Sequence, residues 1–488
     1  MAEFTLSEII SAVGGITLNQ SVLPEADLRV RGVCTDSRSV VADDLFVALV
    51  GERFDGHDFC GAVADKGVRV ILLSKKDSLP ESCVGILVED TLKAYQDLAE
   101  FYRIRLGCTV IAVTGSVGKT STREMIAAAI GSTRKMHATI RNNNNEIGLP
   151  ATILSAPQDT EVMVLEMGMR QKGEIALLTA IAHPDIAVVT NVGVSHIERL
   201  GSREDILAAK MEICEGLGPD GILIINGDDP MLADYVADAD HVKWKDLGAV
   251  VWTPTVCRRA QAKYCVHSDC IEMTEETTFF DAVIAALEEP DKRIRIELAT
   301  TGRHHIKNAM FSILCARFIG ADLDKVRISL QGYRSMGGRG KIIRTKRFTV
   351  CDDAYNASPE SMAAAFDSIG ILAGERRKIA AIGGILELGI YSAELHDQVG
   401  ASAAEAGIDR LYVCGEFAEQ VREGALERRP DITVFVFDDR ESLLGALLPD
   451  LRTGDVILVK ASHAFGFDTV AAEIINFDGG PDSPEKED

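Results

Sequence analysis

Short apolar runs alternate with helical patterns along most of the chain. In the first hundred or so residues, β-like runs at Leu45–Val50 and Val68–Leu73 lie between turn-rich polar stretches. The apolar run Thr109–Val113 then leads through a glycine-containing loop into a helical pattern over Thr120–Ile130. Short buried strands that alternate with helices indicate a parallel sheet covered by helices.

The same alternation continues to the C-terminal end, with one interruption. After the loop, further candidate strands are Val162–Leu165, Ile186–Thr190 and Ile222–Ile225. The glycine-rich stretch Gln331–Gly340 breaks both periodicities, and we interpret it as a hinge. Beyond it, a helical pattern over Ser361–Ile369 accompanies predicted strands at Phe348–Cys351, Ile379–Ile382, Leu411–Val413, Val434–Phe437 and Val456–Val459.

This pattern predicts an α/β protein of three domains. We expect a mixed α/β N-terminal domain over 1–107, a central parallel-sheet domain over 108–330 and a C-terminal Rossmann-like domain over 331–477. The acidic segment 478–488 contains Pro and Gly and is predicted to be a disordered tail.

Composition and charge narrow the class of protein. The 488 residues are 47% hydrophobic and 26% charged, which is typical of folded globular domains. With 51 Lys and Arg against 74 Asp and Glu, the net charge of −23 disfavours binding to nucleic acid or to anionic membranes. The sequence shows neither a signal-peptide pattern nor an apolar stretch of about 20 residues. We therefore expect a cytoplasmic protein without membrane insertion, and we take it to be a monomer.

The cysteines are expected to be reduced. All eleven are scattered along the chain, which fits free thiols in a cytosol better than a disulfide framework. Cys257, Cys265 and Cys270 lie near His267, but their spacing matches no common zinc motif. We predict free thiols there that bind no metal.

One strand–loop–helix motif carries a specific chemical signal. It consists of Thr114, Gly115, Ser116, Val117, Gly118, Lys119, Thr120 and Ser121. Glycines let backbone N–H groups approach a phosphate, and the helix N-terminus adds donors and partial positive charge. In such a loop Lys119 reaches the β- and γ-phosphates and the Thr120 hydroxyl reaches Mg²⁺. Val113 replaces the first glycine of the usual P-loop pattern, and no evident guanine-recognition element follows, which favours ATP over GTP.

Further polar motifs follow this loop in a fixed order. They are Arg141–Pro150, Glu166–Gly168, Asn191–His196, Ala209–Ile213, Gly302–Ala309, Gly338–Arg339 and Asp352–Ser358, preceded near the N-terminus by Thr35–Arg38 and Gly51–His57. This ordered set resembles the ATP-dependent Mur ligases of bacterial cell-wall synthesis. The resemblance extends from about Asp36 to Lys460.

Within that family, the two N-terminal motifs resemble those of ligases that take longer muramoyl-peptides. Asp352–Ser358 resembles the motif of the ligase that adds D-alanyl-D-alanine to UDP-N-acetylmuramoyl-tripeptide. The resemblance implies ATP and Mg²⁺ as cofactors and the tripeptide nucleotide and the dipeptide as substrates. A carboxylate would attack the γ-phosphate of ATP, and an amine would then displace phosphate from the acyl phosphate. Positioning and charge stabilisation dominate such catalysis.

The resemblance also implies roles for individual residues. The implied catalytic residues are Lys119, Glu166, His196 and Lys210. One Mg²⁺ would be held by Thr120 and Glu166, and a second by His196 and a carbamylated Lys210. Besides the loop, the residues implied to bind ATP are Asn308 near adenine, Arg339 near the phosphates and Asp353 near ribose. The residues implied to bind substrate are Ser37, Arg38, Asp55, Gly56, His57, Asn144, Asn145, Tyr355 and Asn356.

Three positions near the expected dipeptide site depart from the family pattern. Gly384 stands where relatives usually carry an aspartate, and Ala461 and His463 stand where Gly and Arg are usual. Loss of an arginine removes a permanent charge and a bidentate carboxylate contact. We expect weaker or altered recognition of the dipeptide carboxylate.

Three alternative functions stay open at the level of sequence. The preceding Mur ligase would add the third amino acid, with a different element after Asp353. A P-loop nucleotide switch would bind nucleotide tightly and need no amine acceptor. The departures in the third domain leave open a ligase-like subunit that serves another amine donor.

Overall fold

The computed structural model describes residues 2–20, 28–238, 245–251, 262–286, 289–334 and 338–478. The N-terminal elements are β1 (Phe4–Thr5), α1 (Leu6–Val13), β2 (Ile16–Leu18), β3 (Arg29–Val30), β4 (Val33–Cys34), β5 (Leu45–Val47), α2 (Cys60–Asp65), β6 (Val70–Leu73), β7 (Val84–Leu87) and α3 (Thr91–Leu106). β1 pairs with β3, and the other five strands form a sheet in the order β2-β7-β6-β5-β4. Only β2 is antiparallel to its neighbour in that sheet.

Helix α3 joins the N-terminal sheet to the rest of the molecule. Asp90 caps its first turn, and Gly107 ends it in the left-handed conformation. The Tyr102 hydroxyl donates to the Ala156 carbonyl at 2.8 Å. The buried Arg103 guanidinium donates to the Ala182 carbonyl at 2.7 Å. Because these donors are satisfied by the central region, α3 is fixed against it.

The central region contains a nine-stranded sheet. Its elements are β8 (Thr109–Thr114), α4 (Lys119–Gly131), β9 (Met136–Ala138), α5 (Gly148–Ser155), β10 (Val162–Glu166), α6 (Glu174–Ala182), β11 (Ile186–Val189), α7 (Ile197–Leu200), α8 (Arg203–Met211), β12 (Ile222–Asn226), α9 (Pro230–Ala237), β13 (Asp246–Val251), β14 (Tyr264–Met273), β15 (Thr278–Ala286), β16 (Lys292–Leu298), α10 (Arg303–Phe318) and α11 (Leu323–Gln331). The strand order is β16-β15-β14-β13-β12-β11-β8-β10-β9. The predicted strands and the helix after the glycine loop are confirmed, whereas the antiparallel extension β14–β16 was not predicted.

The carboxyl ends of the parallel strands define one edge of the central sheet. β8 lies between β10 and β11, so the connection from β8 to β9 runs to one side of β8 and the connection from β10 to β11 crosses to the other side. Such a switch point leaves a crevice where ligands bind in parallel α/β sheets. Thr114 and Glu166 end two of these neighbouring strands and therefore lie at that crevice.

The C-terminal region forms a six-stranded sheet of its own. Its elements are β17 (Lys341–Arg344), β18 (Thr349–Asp352), α12 (Pro359–Ala373), β19 (Lys378–Ile382), α13 (Ser392–Glu405), β20 (Arg410–Cys414), α14 (Ala418–Arg428), β21 (Thr433–Phe437), α15 (Arg440–Asp450), β22 (Val456–Lys460) and α16 (Phe467–Phe477). The order is β17-β18-β22-β19-β20-β21, with only β17 antiparallel to its neighbour. The molecule is thus the three-domain α/β protein that the sequence predicts.

The expectation that the cysteines are reduced is wrong for Cys265. It is disulfide-bonded, whereas nine other cysteines in the described part of the chain are free. Cys257, residues 335–337 of the predicted hinge and residues 479–488 of the predicted tail lie outside the described residues. Within the described ranges, no helix has the length and apolar composition needed to cross a membrane.

Candidate active site

The glycine loop joins β8 to α4 at the crevice of the central sheet. Gly115 and Gly118 have φ values of 147° and 84°, which favour glycine. The backbone N–H groups of Ser116 and Val117 both donate to Asn191 Oδ1, at 3.0 and 2.9 Å. The loop therefore presents adjacent N–H donors toward a single acceptor, which is the geometry that a phosphate oxygen requires.

Lys119 is held within the same loop. Its Nζ donates to the Gly115 carbonyl at 2.7 Å and to the Ser116 carbonyl at 3.3 Å. Burial lowers the pKa of Lys119, with a smaller contribution from Arg339, while Glu166 acts in the opposite direction. An anion bound in the loop would favour the charged ammonium, because it would supply the negative charge that burial leaves missing.

A cluster of oxygen ligands lies beside the loop. Glu166 is 2% exposed, and its two carboxylate oxygens accept from Thr120 Oγ1 and Asn144 Nδ2, each at 2.8 Å. Arg123 Nη1 lies 3.5 Å from the Thr120-bonded oxygen. A hydroxyl and a carboxylate are the hard oxygen ligands that Mg²⁺ prefers, so this donor set fits that ion.

His196 and Lys210 lie near Lys119 and near each other. Burial lowers the pKa of His196, and the nearby Lys119 and Lys210 act in the same direction. Its Nδ1 is hydrogen-bonded to Glu387 Oε2, from the segment that follows β19. Lys210 is 1% exposed, and burial holds its pKa well below the usual range. Such a lysine is available as the neutral amine.

The C-terminal region supplies the opposite wall. The Arg339 guanidinium lies over the Tyr355 ring, 4.2 Å from its centroid. Asp353 Oδ2 pairs at 2.6 Å with Lys460 Nζ, which also donates to the Asn356 carbonyl at 2.9 Å. Lys460 is 2% exposed and Asp353 is half-buried, so the buried ammonium holds the carboxylate in a fixed orientation. Lys460 was missed as a site residue, although a lysine that ends an apolar strand was the available signal.

One cavity of about 830 Å³ connects the central and C-terminal walls. The predicted residues that line it are Ser116, Val117, Gly118, Lys119, Thr120, Ser121, Asn144, Asn145, Glu166, His196, Asn308, Arg339, Asp353, Tyr355 and Asn356. Asn308 Oδ1 accepts from Thr122 Oγ1 at 3.1 Å, which fixes it beside the loop helix. Thr114, Gly115 and Lys210 are not part of the cavity wall in the described chain, but they adjoin residues that are.

The predicted N-terminal residues lie apart from this cavity. Ser37 and Arg38 are near the surface, where Arg38 pairs with Asp36 at 2.7 Å and the Ser37 carbonyl accepts from Lys66 Nζ at 2.8 Å. His57 is 3% exposed and is hydrogen-bonded to Asp55 Oδ1 at 2.6 Å.

The packing around these residues explains their identities. The His57 Nε2 atom accepts from the Ser74 backbone N–H at 2.9 Å. Gly56 has no space for a side chain, because a Cβ would lie 2.8 Å from the backbone of Ala48 and Leu49. His57 and Gly56 therefore shape the turn rather than present groups to solvent.

The family departures have distinct environments. A Cβ on Gly384 would lie 2.6 Å from Phe465 Cζ, so the phenylalanine ring occupies the space of a side chain there. Ala461 is fully buried, and a Cβ on Gly383 would lie 2.8 Å from its methyl group. His463 lies near Tyr355, with ring centroids 5.9 Å apart.

Three family models match successive parts of the chain. They are "Mur ligase family, catalytic domain" over 29–103, "Mur ligase middle domain" over 113–316 and "Mur ligase, glutamate ligase domain" over 338–463. A Bacillus subtilis protein named UDP-N-acetylmuramoyl-tripeptide–D-alanyl-D-alanine ligase is 36% identical, over 97% of this chain and 99% of its own length. The chain belongs to the Mur ligase family.

Solved structures extend this family relationship to the arrangement of the whole chain. A MurF crystal structure from Acinetobacter baumannii aligns with a TM-score of 0.83 at 26% identity, over 97% of this chain and 99% of that one. A Thermotoga maritima MurF ligase in complex with ADP aligns with a TM-score of 0.76 at 29% identity, over 91% and 97%. The family resemblance inferred from the ordered motifs is thereby confirmed.

Proposed function

We propose that this Mur ligase uses ATP to join D-alanyl-D-alanine to UDP-N-acetylmuramoyl-tripeptide in peptidoglycan precursor synthesis. The supporting observation is the single cavity in which the glycine loop faces Tyr355 and Asn356. An acid and an amine must meet beside a phosphate for such a reaction, and a cavity between two regions can hold them together. The name of the Bacillus subtilis relative supports the same substrates.

The glycine loop would hold the triphosphate of ATP. The N–H groups of Ser116 and Val117 would exchange Asn191 Oδ1 for phosphate oxygens, and Lys119 would turn from the Gly115 carbonyl to the β- and γ-phosphates. Arg339 would add a charge from the opposite wall. We assign Asn308 to adenine and the half-buried Asp353 to ribose. The ADP complex of the Thermotoga maritima relative supports nucleotide binding here.

Two magnesium positions are part of the proposal. Thr120 and Glu166 would hold one ion, and His196 with carbamylated Lys210 would hold the other. Bound Mg²⁺ neutralises charge on the transferring phosphoryl group. The lowered pKa of Lys210 supports carbamylation, because CO₂ reacts with the neutral amine. A carbonyl signal from ¹³CO₂ in wild-type protein that is absent from Lys210→Arg would support this assignment; equal signals would contradict it.

The substrates would enter from different sides. We propose that Ser37, Arg38 and Asp55 recognise the UDP-linked part of the tripeptide, with Gly56 and His57 shaping the turn that carries Asp55. Asn144 and Asn145, beside Glu166, would meet its peptide end, and Tyr355 and Asn356 would meet the dipeptide. The boundaries 107/108 and 330/331 would separate three domains in a monomer. Since both ATP and the sugar nucleotide are cytoplasmic metabolites, we place the reaction in the cytoplasm.

A coupled ADP assay tests the proposed function. Purified protein is given ATP, Mg²⁺ and UDP-muramoyl-peptides of two or three residues, each with single amino acids or with D-alanyl-D-alanine. We expect ADP release only with the tripeptide and the dipeptide together. Release with the two-residue nucleotide and a single amino acid would indicate the preceding ligase. Release with neither substrate would indicate a nucleotide switch.

A further inference from the structure

Glu360 carries a buried carboxylate oxygen to which none of the roles above applies. It lies in the first turn of α12, and its Oε1 accepts from the Val194 backbone N–H at 2.7 Å. Its Oε2 is inaccessible to solvent and has no hydrogen-bond partner among the described residues. A buried charged oxygen without a donor is costly, since it has lost water and gained nothing in return. Since Glu360 lines the cavity, a small rotation of its carboxylate would expose this oxygen to a donor that a ligand supplies.

The position of Glu360 suggests which ligand that is. Glu360 lines the same cavity as Lys119 and Tyr355. Its partner Val194 follows Gly193, whose N–H donates to Ser116 Oγ in the glycine loop at 2.9 Å. The carboxylate thus lies one residue away from the contact that holds the loop. A group bound by Oε2 would lie beside the phosphate site on the side of the C-terminal region.

The chain makes room for this carboxylate at Gly193. A Cβ on Gly193 would lie 2.3 Å from Glu360 Oε1 and 2.6 Å from its Cδ. Any other residue at 193 would therefore displace the carboxylate from the Val194 N–H. Gly193 therefore allows the carboxylate of Glu360, which belongs to the C-terminal region, to stay in contact with the central region.

We propose that Glu360 binds the α-ammonium group of the incoming dipeptide and accepts its proton as the amide forms. This inference rests on the proposed function. An ammonium group supplies the charged donor that Oε2 lacks, and ionised pairs make the stronger hydrogen bonds. Glu360 would hold the amine beside the acyl phosphate, which forms at the glycine loop.

The proton balance requires such an acceptor. One proton passes from the ammonium to Glu360, which leaves an amine with a free electron pair. The nitrogen attacks the acyl carbon, the C–N bond forms, and the C–O bond to phosphate breaks with its electron pair on the phosphate oxygen. The second nitrogen proton goes to the departing phosphate. Glu360 then releases its proton to solvent, so that the products are the amide and hydrogen phosphate.

A different role for Glu360 is charge compensation. Glu360 favours the charged form of the buried Lys210, against the effect of burial. If that were its role, its loss would disturb Lys210 and hence the whole site, including the step that precedes the amine. If Glu360 instead binds the amine, its loss should impair only the capture of the amine. The two half-reactions separate these possibilities.

Rapid-quench kinetics of Glu360→Gln provide the test. Glutamine retains the acceptor for Val194 but neither the charge nor the basicity. With ATP and UDP-tripeptide alone, we expect an ADP burst equal to that of wild type. With D-alanyl-D-alanine, we expect kcat to fall by about 10²-fold or more, as for loss of a general base, and KM for the dipeptide to rise. Glu360→Asp should recover part of the rate.

The matched control is Glu394→Gln, which changes an exposed carboxylate in the first turn of α13. It should leave both steps unchanged. Dipeptide capture at the wild-type rate in Glu360→Gln, or equal losses in the burst and in capture, would overturn the inference. Failure of wild-type protein to form the amide at all would instead contradict the proposed function.

A second variant tests the placement of the carboxylate without removing it. In Gly193→Ala the new methyl group would displace Glu360, so dipeptide capture should fall while the burst persists. In a Glu360→Ala background the same change should add little, because the atoms that it displaces are gone. An equal additional loss in that background would contradict the contact on which the inference depends.

Discussion

The substitution Gly115→Ala should disrupt the glycine loop through one identifiable contact. A Cβ on Gly115 would lie 1.9 Å from Thr190 Oγ1 and 3.1 Å from Thr190 Cβ. That hydroxyl donates to the Val117 carbonyl at 2.7 Å. The threonine must therefore move, and the loop loses a hydrogen bond at Val117, one of the two residues whose N–H groups we propose to bind phosphate.

The magnitude follows from three contributions. A non-glycine residue at positive φ costs about 1–2 kcal/mol, the lost hydrogen bond costs about 0.5–1.5 kcal/mol, and crowding in a packed site costs about 1–3 kcal/mol. We expect the free energy of unfolding to fall by about 2.5–6.5 kcal/mol. If the loop moves to relieve the crowding, the loss of stability becomes smaller, but the displaced loop should bind ATP more weakly.

Denaturant unfolding and calorimetric ATP titration measure the two effects. Gly173→Ala is the control, since Gly173 also has a positive φ of 88° but no atom within 4 Å of a Cβ. The free energy of unfolding of Gly173→Ala should fall only by the backbone strain of about 1–2 kcal/mol, and this variant should bind ATP as the wild type does. In a Thr190→Ala background, Gly115→Ala should cost less, because the atom at 1.9 Å is absent. Equal losses for Gly115→Ala and Gly173→Ala would refute this explanation of the loop.

Three further predictions concern the loop lysine, the dipeptide site and the C-terminal fold. Lys119→Ala should reduce amide formation by at least about 10²-fold, because it removes the positive charge that stabilises the phosphoryl group during transfer. Intact synthesis in the ADP assay would exclude the assigned role. His463→Arg should lower KM for D-alanyl-D-alanine by restoring a permanent charge near Tyr355, and steady-state kinetics with an unchanged KM would contradict this. Gly400→Ala should lower the Tm, because its Cβ would lie 1.9 Å from the Val421 carbonyl oxygen. The helical Gly445→Ala, with open space around it, should not lower the Tm.

The strands and the glycine loop could be predicted because their signals are local. A run such as Val162–Leu165 is apolar on both faces, which suits a strand covered by helices. Gly115 and Gly118 precede a helix, and only glycine adopts their backbone conformation readily. The antiparallel strands β14–β16 were not predicted, because their positions depend on which strands pair at the edge of the sheet, and residue composition does not specify that pairing.

Contacts between distant segments could not be predicted in the same way. Glu360 and Glu387 are ordinary acidic residues in sequence, and only folding brings them to Val194 and His196. The disulfide at Cys265 was also missed, because the Cα separation and Cβ orientation that decide whether two cysteines can pair are not given by the sequence. At Gly384, the packing of Phe465 explains why an aspartate would not fit without movement of the ring.

These long-range contacts link the two walls of the cavity. Asn191 holds the Ser116 and Val117 N–H groups, and only a few residues later the same segment is held by Glu360 and Glu387 from the C-terminal region. Hydrogen bonds to charged groups contribute about 1.5–3 kcal/mol each, so separation of the walls would cost the segment two such contacts. Because one short segment bears both sets, ordering of the glycine loop and closure of the C-terminal region should favour each other. Nucleotide bound at the loop would then prepare the cavity for the amine.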